Sequence, residues 1–162
     1  MRRYLLPGFC VIVLVLGLHT MTIASGVPAS MPVETLAIMT SDGERHEFSA
    51  YMADTPATRA RGLMYVTRLE PDHGMLFDFE WPHVIHMWMK NTPLSLDMLF
   101  IDEHGVIARI EQRTKPFSTE IISSGSEVLA VLELNGGQTE KLGIAAGDRV
   151  IHRLFDRGNG VR

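Results

Sequence analysis

The stretch from His86 to Phe100 sets polar side chains within apolar sequence. It contains an indole, a cation, an amide, a hydroxyl and a carboxylate, which are Trp88, Lys90, Asn91, Thr92 and Asp97. Polar groups surrounded by apolar residues are costly to bury unless they pair with each other or with a ligand. The stretch is therefore either a buried polar brace that fixes a loop or a binding site.

A second isolated polar residue is Glu133, which lies in the otherwise apolar run 128–134. Two neighbouring carboxylates split their proton affinities, so Asp97 and Glu133 would suit acid–base catalysis in a hydrolase or lyase. Lys90 would then stabilise developing negative charge. Alternatively, Glu133 pairs with Lys90 or Arg61, because an unpaired buried charge is expensive. A shared site requires Lys90, Asp97 and Glu133 to meet in space.

A third set combines imidazole with thioether groups: His83, His86, Met87 and Met89. These are ligand types that copper accepts, so a copper-binding protein is a further alternative. However, strand alternation places Met87 and Met89 on one face and His86 on the other. Methionines on a strand more often belong to the core. We therefore predict no metal site and no cofactor.

Several other chemistries are excluded by missing residues. The chain lacks a Gly-x-Ser-x-Gly elbow, a phosphate-binding glycine loop and a His-Glu-x-x-His motif. Cys10 is the single cysteine, and it lies in the N-terminal apolar run. Without that run, the chain has no thiol catalysis, no cysteine metal site and no disulfide. A packed core alone must then hold the fold together.

The N-terminal 26 residues have the layout of a secretory signal peptide. Arg2 and Arg3 precede an apolar run, and small residues follow at positions 24–26. The run is short for a membrane span, which needs roughly 20 apolar residues, although an uncleaved anchor is the alternative. The paired arginines are a weak sign of twin-arginine export. We expect a periplasmic or secreted protein.

The net charge of the chain limits the classes of partner that it is expected to bind. Cleavage after Gly26 would remove two arginines and lower the formal net charge from −4 to −6. An acidic, exported domain without a cluster of basic residues is a poor candidate for binding nucleic acid. We therefore expect a small molecule or an envelope protein as partner. Contact with a membrane is expected only through an uncleaved signal segment.

Elements of secondary structure must position these groups, and most of them are predicted to be strands. Alternating or β-branched runs predict strands at 33–40, 46–53, 75–79, 84–89, 96–102, 106–110, 128–134 and 148–155. Thr55 and Pro56 begin the one clear helix, and 139–142 forms a helical turn. Residues 81–83 are predicted to connect two strands, and 114–125 to form a surface loop.

This pattern predicts a single compact domain of the α+β class, mostly β, spanning residues 33–156. Its architecture would be a largely antiparallel barrel or sandwich. Residues 27–32 are predicted to be a flexible leader, and 157–162 a frayed tail.

Six blocks of sequence together resemble the family of domains of unknown function numbered 192, small exported or cytoplasmic proteins of bacteria and archaea. The blocks are Ala53–Pro56, Arg59–Met64, Gly74–Phe77, Trp88–Thr92 with Leu96, Asp97 and Phe100, Val131–Leu134 with Gly137, and Gly147–Asp148. The resemblance covers about Leu36 to Val150. Because the family has no established activity, the resemblance implies only a compact β-rich domain.

The resemblance also implies that seven residues occupy the family's motif positions: Gly62, Trp88, Lys90, Asn91, Thr92, Asp97 and Glu133. One position departs from the pattern, since Val66 stands where the family often has an arginine. The favoured hypothesis is a periplasmic binding or accessory module. Trp88 would offer a stacking surface, and Lys90, Asn91 and Thr92 would bind a polar or anionic group. Asp97, Glu133 and Arg61 would complete the site.

Overall fold

The computed structural model describes residues 26–27 and 30–158, with the last two residues described by their backbone alone. The predicted signal peptide, apart from Gly26, lies outside the described residues, as do 159–162 of the predicted tail. Of the predicted leader, Met31 is buried against the core and the Pro32 carbonyl accepts a hydrogen bond from the Met52 amide.

A single sheet of seven strands forms the protein, and its strand order is β5-β4-β6-β3-β2-β1-β7. The strands are β1 Val33–Met39, β2 Arg45–Ala53, β3 His73–Met87, β4 Leu96–Ile101, β5 Ile107–Glu111, β6 Ile122–Asn135 and β7 Arg149–Ile151. Helix α1 spans Pro56–Arg61, α2 spans Gln138–Lys141, and a 3₁₀ helix spans Arg153–Gly158. The predicted mostly β fold of the α+β class is confirmed.

The chain begins with the predicted hairpin. Strands β1 and β2 pair in antiparallel fashion, and the Asp-Gly turn between them is closed by the Gly43 amide, which donates to the Thr40 carbonyl. Gly43 has φ 91°, a conformation that favours glycine. Strand β3 then runs parallel to β2, and the crossover between them carries α1. All the other strand pairs are antiparallel.

Two long strands differ from the sequence prediction. Residues 81–83 do not end a strand; β3 continues through them to Met87 with register shifts against β6. Bulges of this kind insert residues without ending the ladder, and the alternation of side chains does not reveal them. The paired strand β6 likewise begins at Ile122, inside the segment predicted to be a loop. The final strand is shorter than predicted and stops at Ile151.

The sheet curls into a half-barrel with apolar residues on both faces. One core cluster includes Leu99, Leu132 and Leu134, and the other includes Phe77, Phe100 and Val131. The two edges approach each other at an isolated bridge between Val106 and Arg149. The curl therefore leaves little free edge for unwanted strand pairing.

The final helix is attached to the first strand by an ionic cluster. Glu34 of β1 accepts hydrogen bonds from Arg153 and lies 3.0 Å from the ring nitrogen Nε2 of buried His152. The Arg153 guanidinium lowers the pKa of the Glu34 carboxyl, whereas burial lowers the pKa of His152.

Within the described residues, no helix has the length and apolar run needed to span a membrane.

Candidate functional site

A cavity of ≈ 290 Å³ opens between α1, β3 and the loop that follows β3. This volume is at the lower end of the range for small-ligand pockets. The residues that line it come from four parts of the chain: Arg59–Met64, Phe77 and Phe79 with His86–Trp88, Thr92, and Glu133. The walls thus combine apolar and aromatic side chains with several polar and charged groups that could orient a ligand.

Helix α1 brings two arginines to this cavity. The Thr55 side chain caps the helix by accepting from the Thr58 amide, and Pro56 occupies the first turn, as predicted. Gly62 ends the helix with φ 48°, and a Cβ atom there would lie 3.1 Å from Cζ of Phe77. Glycine at position 62 therefore suits both the positive φ and the close approach of the backbone to the Phe77 ring.

The two arginines differ in their partners. Arg59 donates to the Asp78 carbonyl at 2.6 Å, pairs with Glu80 at 2.8 Å, and lies 5.8 Å from the centre of the Phe79 ring. Its guanidinium is therefore fixed and neutralised. Arg61 is exposed and borders the cavity, and its guanidinium has no hydrogen-bond or ion-pair partner within the described chain. Of the two, only Arg61 is free to meet a ligand.

Glu133 forms part of the cavity wall and is 4% exposed. Its neighbours across the sheet are Met75 of β3 and Met98 of β4, and Oε2 has no hydrogen-bond partner within the described chain. Burial raises the pKa of the Glu133 carboxyl from its ordinary value of 4.5 to about 8. At neutral pH this group is therefore mostly protonated and can donate a hydrogen bond.

Asp97 is also fully buried, but its carboxylate is saturated. Oδ1 accepts from the amides of Arg113 and Gly137, both at 2.8 Å. Oδ2 accepts from the amide and hydroxyl of Thr139 at 2.9 and 2.7 Å. Asp97 thus braces the loop, which was one of the two interpretations of this stretch of sequence. It does so by binding backbone amides and not Lys90 or Arg61.

The predicted carboxylate pair of Asp97 and Glu133 is not formed. Asp97 is opposite Leu134 in the ladder, whereas Glu133 is opposite Met98, so the two acids are on opposite faces of the sheet. Leu134 belongs to one core cluster and Met98 to the other. Because the sheet separates the two carboxyl groups, they cannot act together as acid and base on one substrate.

Lys90 does not join either acid. It is exposed, and its Nζ lies 5.5 Å from the centre of the Trp88 ring, a cation–π contact. It forms no ion pair within the described residues, so the expected convergence of Lys90, Asp97 and Glu133 is wrong. Trp88 itself lines the cavity and is 47% exposed, which leaves its indole accessible at the rim.

Asn91 and Thr92 shape the loop beside Trp88. Asn91 has φ 57°, and its carbonyl accepts from the Tyr65 amide at 2.8 Å, which joins this loop to the segment after α1. Thr92 is buried and lines the cavity, with its hydroxyl 3.3 Å from the Lys90 carbonyl. Thr92 is thus a candidate ligand contact, whereas Asn91 has a positioning role.

The four candidate copper ligands do not come together. Met89 is buried, and its sulfur accepts a hydrogen bond from the Thr114 hydroxyl. His83 Nδ1 lies 2.8 Å from the Trp81 carbonyl, and only His86 and Met87 line the cavity. His86 and Met87 pair with Ser123 and Ile122 in unbroken register, so their side chains alternate as expected, although both border the cavity. Among the described residues, no group of three His, Cys, Asp or Glu side chains is arranged to hold a metal ion.

Sequence reasoning missed the residues that complete the cavity. Phe77 and Phe79 are on β3 with stacked rings 6.4 Å apart, and both line the cavity with Leu63 and Met64. In the sequence they look like ordinary core residues. The signal that identifies them is the position of α1 over β3, which depends on the parallel crossover and is not visible in local periodicity.

Comparison with known proteins places the chain in a family without an assigned activity. A chain from Sinorhizobium meliloti 1021, named provisionally as a transcription regulator, is 43% identical, with a TM-score of 0.76. The match covers 77% of this chain and 97% of that one. A protein of unknown function from Novosphingobium aromaticivorans DSM 12444 is 33% identical over 78% of this chain and 91% of that one, with a TM-score of 0.74.

No functionally curated protein is significantly similar to the chain. The family model of DUF192, described as "Uncharacterized ACR", matches residues 37–152. This match includes the cavity and all the strands apart from the first residues of β1. The chain therefore belongs to the DUF192 family.

Proposed function

We propose that this protein is an exported binding module that takes a small molecule into the cavity beneath Trp88. The observation that carries the proposal is the Glu133 carboxyl group, which is buried in the cavity wall with Oε2 unpartnered. An unsatisfied buried polar atom costs free energy, and a ligand that bonds to it recovers that cost.

The cavity supports this proposal with three further groups. Trp88 offers an apolar, partly exposed surface at the rim, and Thr92 offers a hydroxyl. Arg61 adds a positive charge without a partner. The site thus keeps four of the residues expected from the sequence. Lys90 contacts Trp88 and Asn91 shapes its loop, whereas Asp97 braces α2 on the other face of the sheet.

Export is part of the proposal and is supported by the first 26 residues of the sequence. A basic start, an apolar run and small residues at 24–26 are typical of a signal peptide. We expect cell fractionation to recover the protein outside the cytoplasm. Mass spectrometry would find the new N-terminus near Val27, whereas recovery of the uncut chain in the cytoplasm would contradict export.

The provisional name of the Sinorhizobium protein suggests regulation of transcription, but charge argues against nucleic-acid binding here. The chain has a formal net charge of −4, and five surface arginines are each paired with a glutamate. They are Arg45, Arg68, Arg109, Arg113 and Arg153. Nucleic-acid binding depends on unneutralised cations that contact phosphates. We therefore propose that the partner is a small molecule.

Thermal unfolding in the presence of cell-wall fragments, sugars, amino acids and short peptides would test the proposal. We expect at least one compound to raise the melting temperature, because binding to the folded state stabilises it. Trp88→Ala should abolish that shift. Trp81→Ala is the matched control, since Trp81 is also exposed at the surface but does not line the cavity. Equal loss in both variants, or no shift with any compound, would contradict the proposal.

A further inference from the structure

The cavity is lined by a guanidinium and a buried carboxyl group that do not contact each other. Arg61 and Glu133 both line it, and each lacks an ionic or hydrogen-bond partner within the described chain. They form no ion pair, so more than 4 Å separates the guanidinium nitrogens from the carboxyl oxygens. A guanidinium and a buried carboxyl group that line one small cavity without touching leave room for a molecule between them.

We propose that the ligand is a small zwitterion, with an ammonium group on Glu133 and a carboxylate on Arg61. This inference rests on the proposed binding function and deepens it by naming the ligand class. An ammonium group would satisfy the Oε2 atom that the protein leaves without a partner. A carboxylate would pair with the free guanidinium, which presents several donors in a geometry that matches it.

The remaining walls suit the carbon skeleton of such a ligand. Leu63, Phe77 and Met87 are apolar, and the cavity volume of ≈ 290 Å³ limits the ligand to a few carbon atoms between its charged ends. The other charged group, Arg59, is neutralised by Glu80 and does not compete for the carboxylate. His86 is exposed and is the remaining ionisable residue among those that line the cavity.

Proton release provides a signature of the ammonium contact. In the empty cavity, burial raises the pKa of Glu133 to about 8, so its carboxyl is mostly protonated at pH 7. An ammonium partner would favour the ionised form, and the proton would leave to solvent. Calorimetry at pH 7 in two buffers of different ionisation enthalpy should detect release of about one proton per ligand bound. A ligand bound only through its carboxylate would release none.

The decisive experiment compares matched probes by isothermal titration calorimetry. L-Leucine, 3-methylbutylamine and 4-methylpentanoate share a branched carbon chain but carry both charges, the amine alone or the acid alone. 3-Aminopropanoate, 4-aminobutanoate and 6-aminohexanoate then vary the spacing between the charges. We expect at least one zwitterion to bind about tenfold or more tightly than the amine or acid of the same carbon chain.

Variants assign each end of the ligand. Arg61→Gln should remove the preference for the zwitterion over the amine, and Glu133→Gln should remove both proton release and the preference over the acid. Arg68→Gln is the control, because Arg68 is an exposed arginine that does not line the cavity.

If the amine or the acid binds as tightly as the zwitterion, the inference about the ligand class is wrong, but the proposed binding function is not contradicted. If none of these probes binds while another compound binds in a Trp88-dependent way, the ligand class is wrong. If nothing binds, both proposals fail.

Discussion

Glu133 lies between Met75 of β3 and Met98 of β4, and these neighbours offer its carboxyl group only thioethers. Desolvation without a compensating donor disfavours the charged form, which is why its pKa rises to about 8. The folded protein thus retains a proton on Glu133 that the unfolded chain releases at lower pH. This difference links the stability of the empty protein to pH.

Replacing Glu133 with glutamine should change how stability depends on pH. Because the folded pKa is above the ordinary value of 4.5, the contribution of this group is complete below pH 4.5 and is lost as pH rises toward 8. In that window the free energy of unfolding of the natural protein should fall by ~1.4 kcal/mol per pH unit relative to Glu133→Gln. Urea unfolding at pH 5, 7 and 9 measures the difference. Parallel pH profiles for the two proteins would contradict the assignment.

Asp97 differs from Glu133 in having partners for both oxygens, because its carboxyl group accepts four hydrogen bonds. Asp97→Asn places an NH₂ donor against amide donors and should lower the free energy of unfolding by about 3 kcal/mol. Asp54→Asn is the control, since Asp54 is exposed and its carboxylate forms no hydrogen bond or ion pair within the described residues. A loss no greater than that of the control, measured by urea unfolding, would refute the bracing role.

Helix α1 is short, so its geometry depends on its cap. The Thr55 and Thr58 side chains cap each other's backbone amides, and Arg61 is the last residue of the helix. A six-residue helix has little stability of its own, because nucleation is costly. The position of the Arg61 guanidinium therefore depends on the Thr55 hydroxyl at the other end of the helix.

Thr55→Ala should lower the free energy that stabilises α1 by about 1 kcal/mol. Hydrogen exchange followed by mass spectrometry should show faster exchange at the amides of Thr58 and Arg59. Thr55→Ser keeps the hydroxyl and should retain the slow rates, so it separates the cap from the methyl group. Unchanged exchange in Thr55→Ala would mean that packing against β3, not the cap, holds α1.

The first strand and the final helix are joined by the Glu34 cluster, in which Glu34 of β1 contacts His152 and Arg153. Glu34→Gln should reduce the free energy of unfolding by about 1–2 kcal/mol at neutral pH. Since the Glu34 pKa is lowered in the folded state, its contribution is present above the ordinary value of 4.5 and is lost as pH falls through the lower folded value. The variant and the natural protein should therefore converge in strongly acidic urea melts. A constant difference at every pH would exclude the ionic origin.

Much of the whole molecule was predictable from local sequence. The Asp-Gly turn, the Thr55 cap and the apolar runs of β4 and β6 each reflect short-range physics, and the structure confirms them. The bulged path of β3 was not predictable, because a register shift breaks the alternation on which strand prediction depends.

The candidate site was predictable in part. Glu133 and Trp88 stood out as polar or amphipathic groups in apolar surroundings, and both line the cavity. Asp97 looked the same in sequence but faces the other side of the sheet, where loop amides saturate it. A carboxylate that serves a ligand and one that braces a loop share the same sequence context. Only the pairing register and the nearby donors distinguish them.

Strand β7 pairs on the outer side of β1, so the first strand of the sheet obtains its second neighbour only from Arg149–Ile151. This ladder therefore cannot close until residues 149–151 have been synthesised. Pairings between such distant segments slow the search for the native topology.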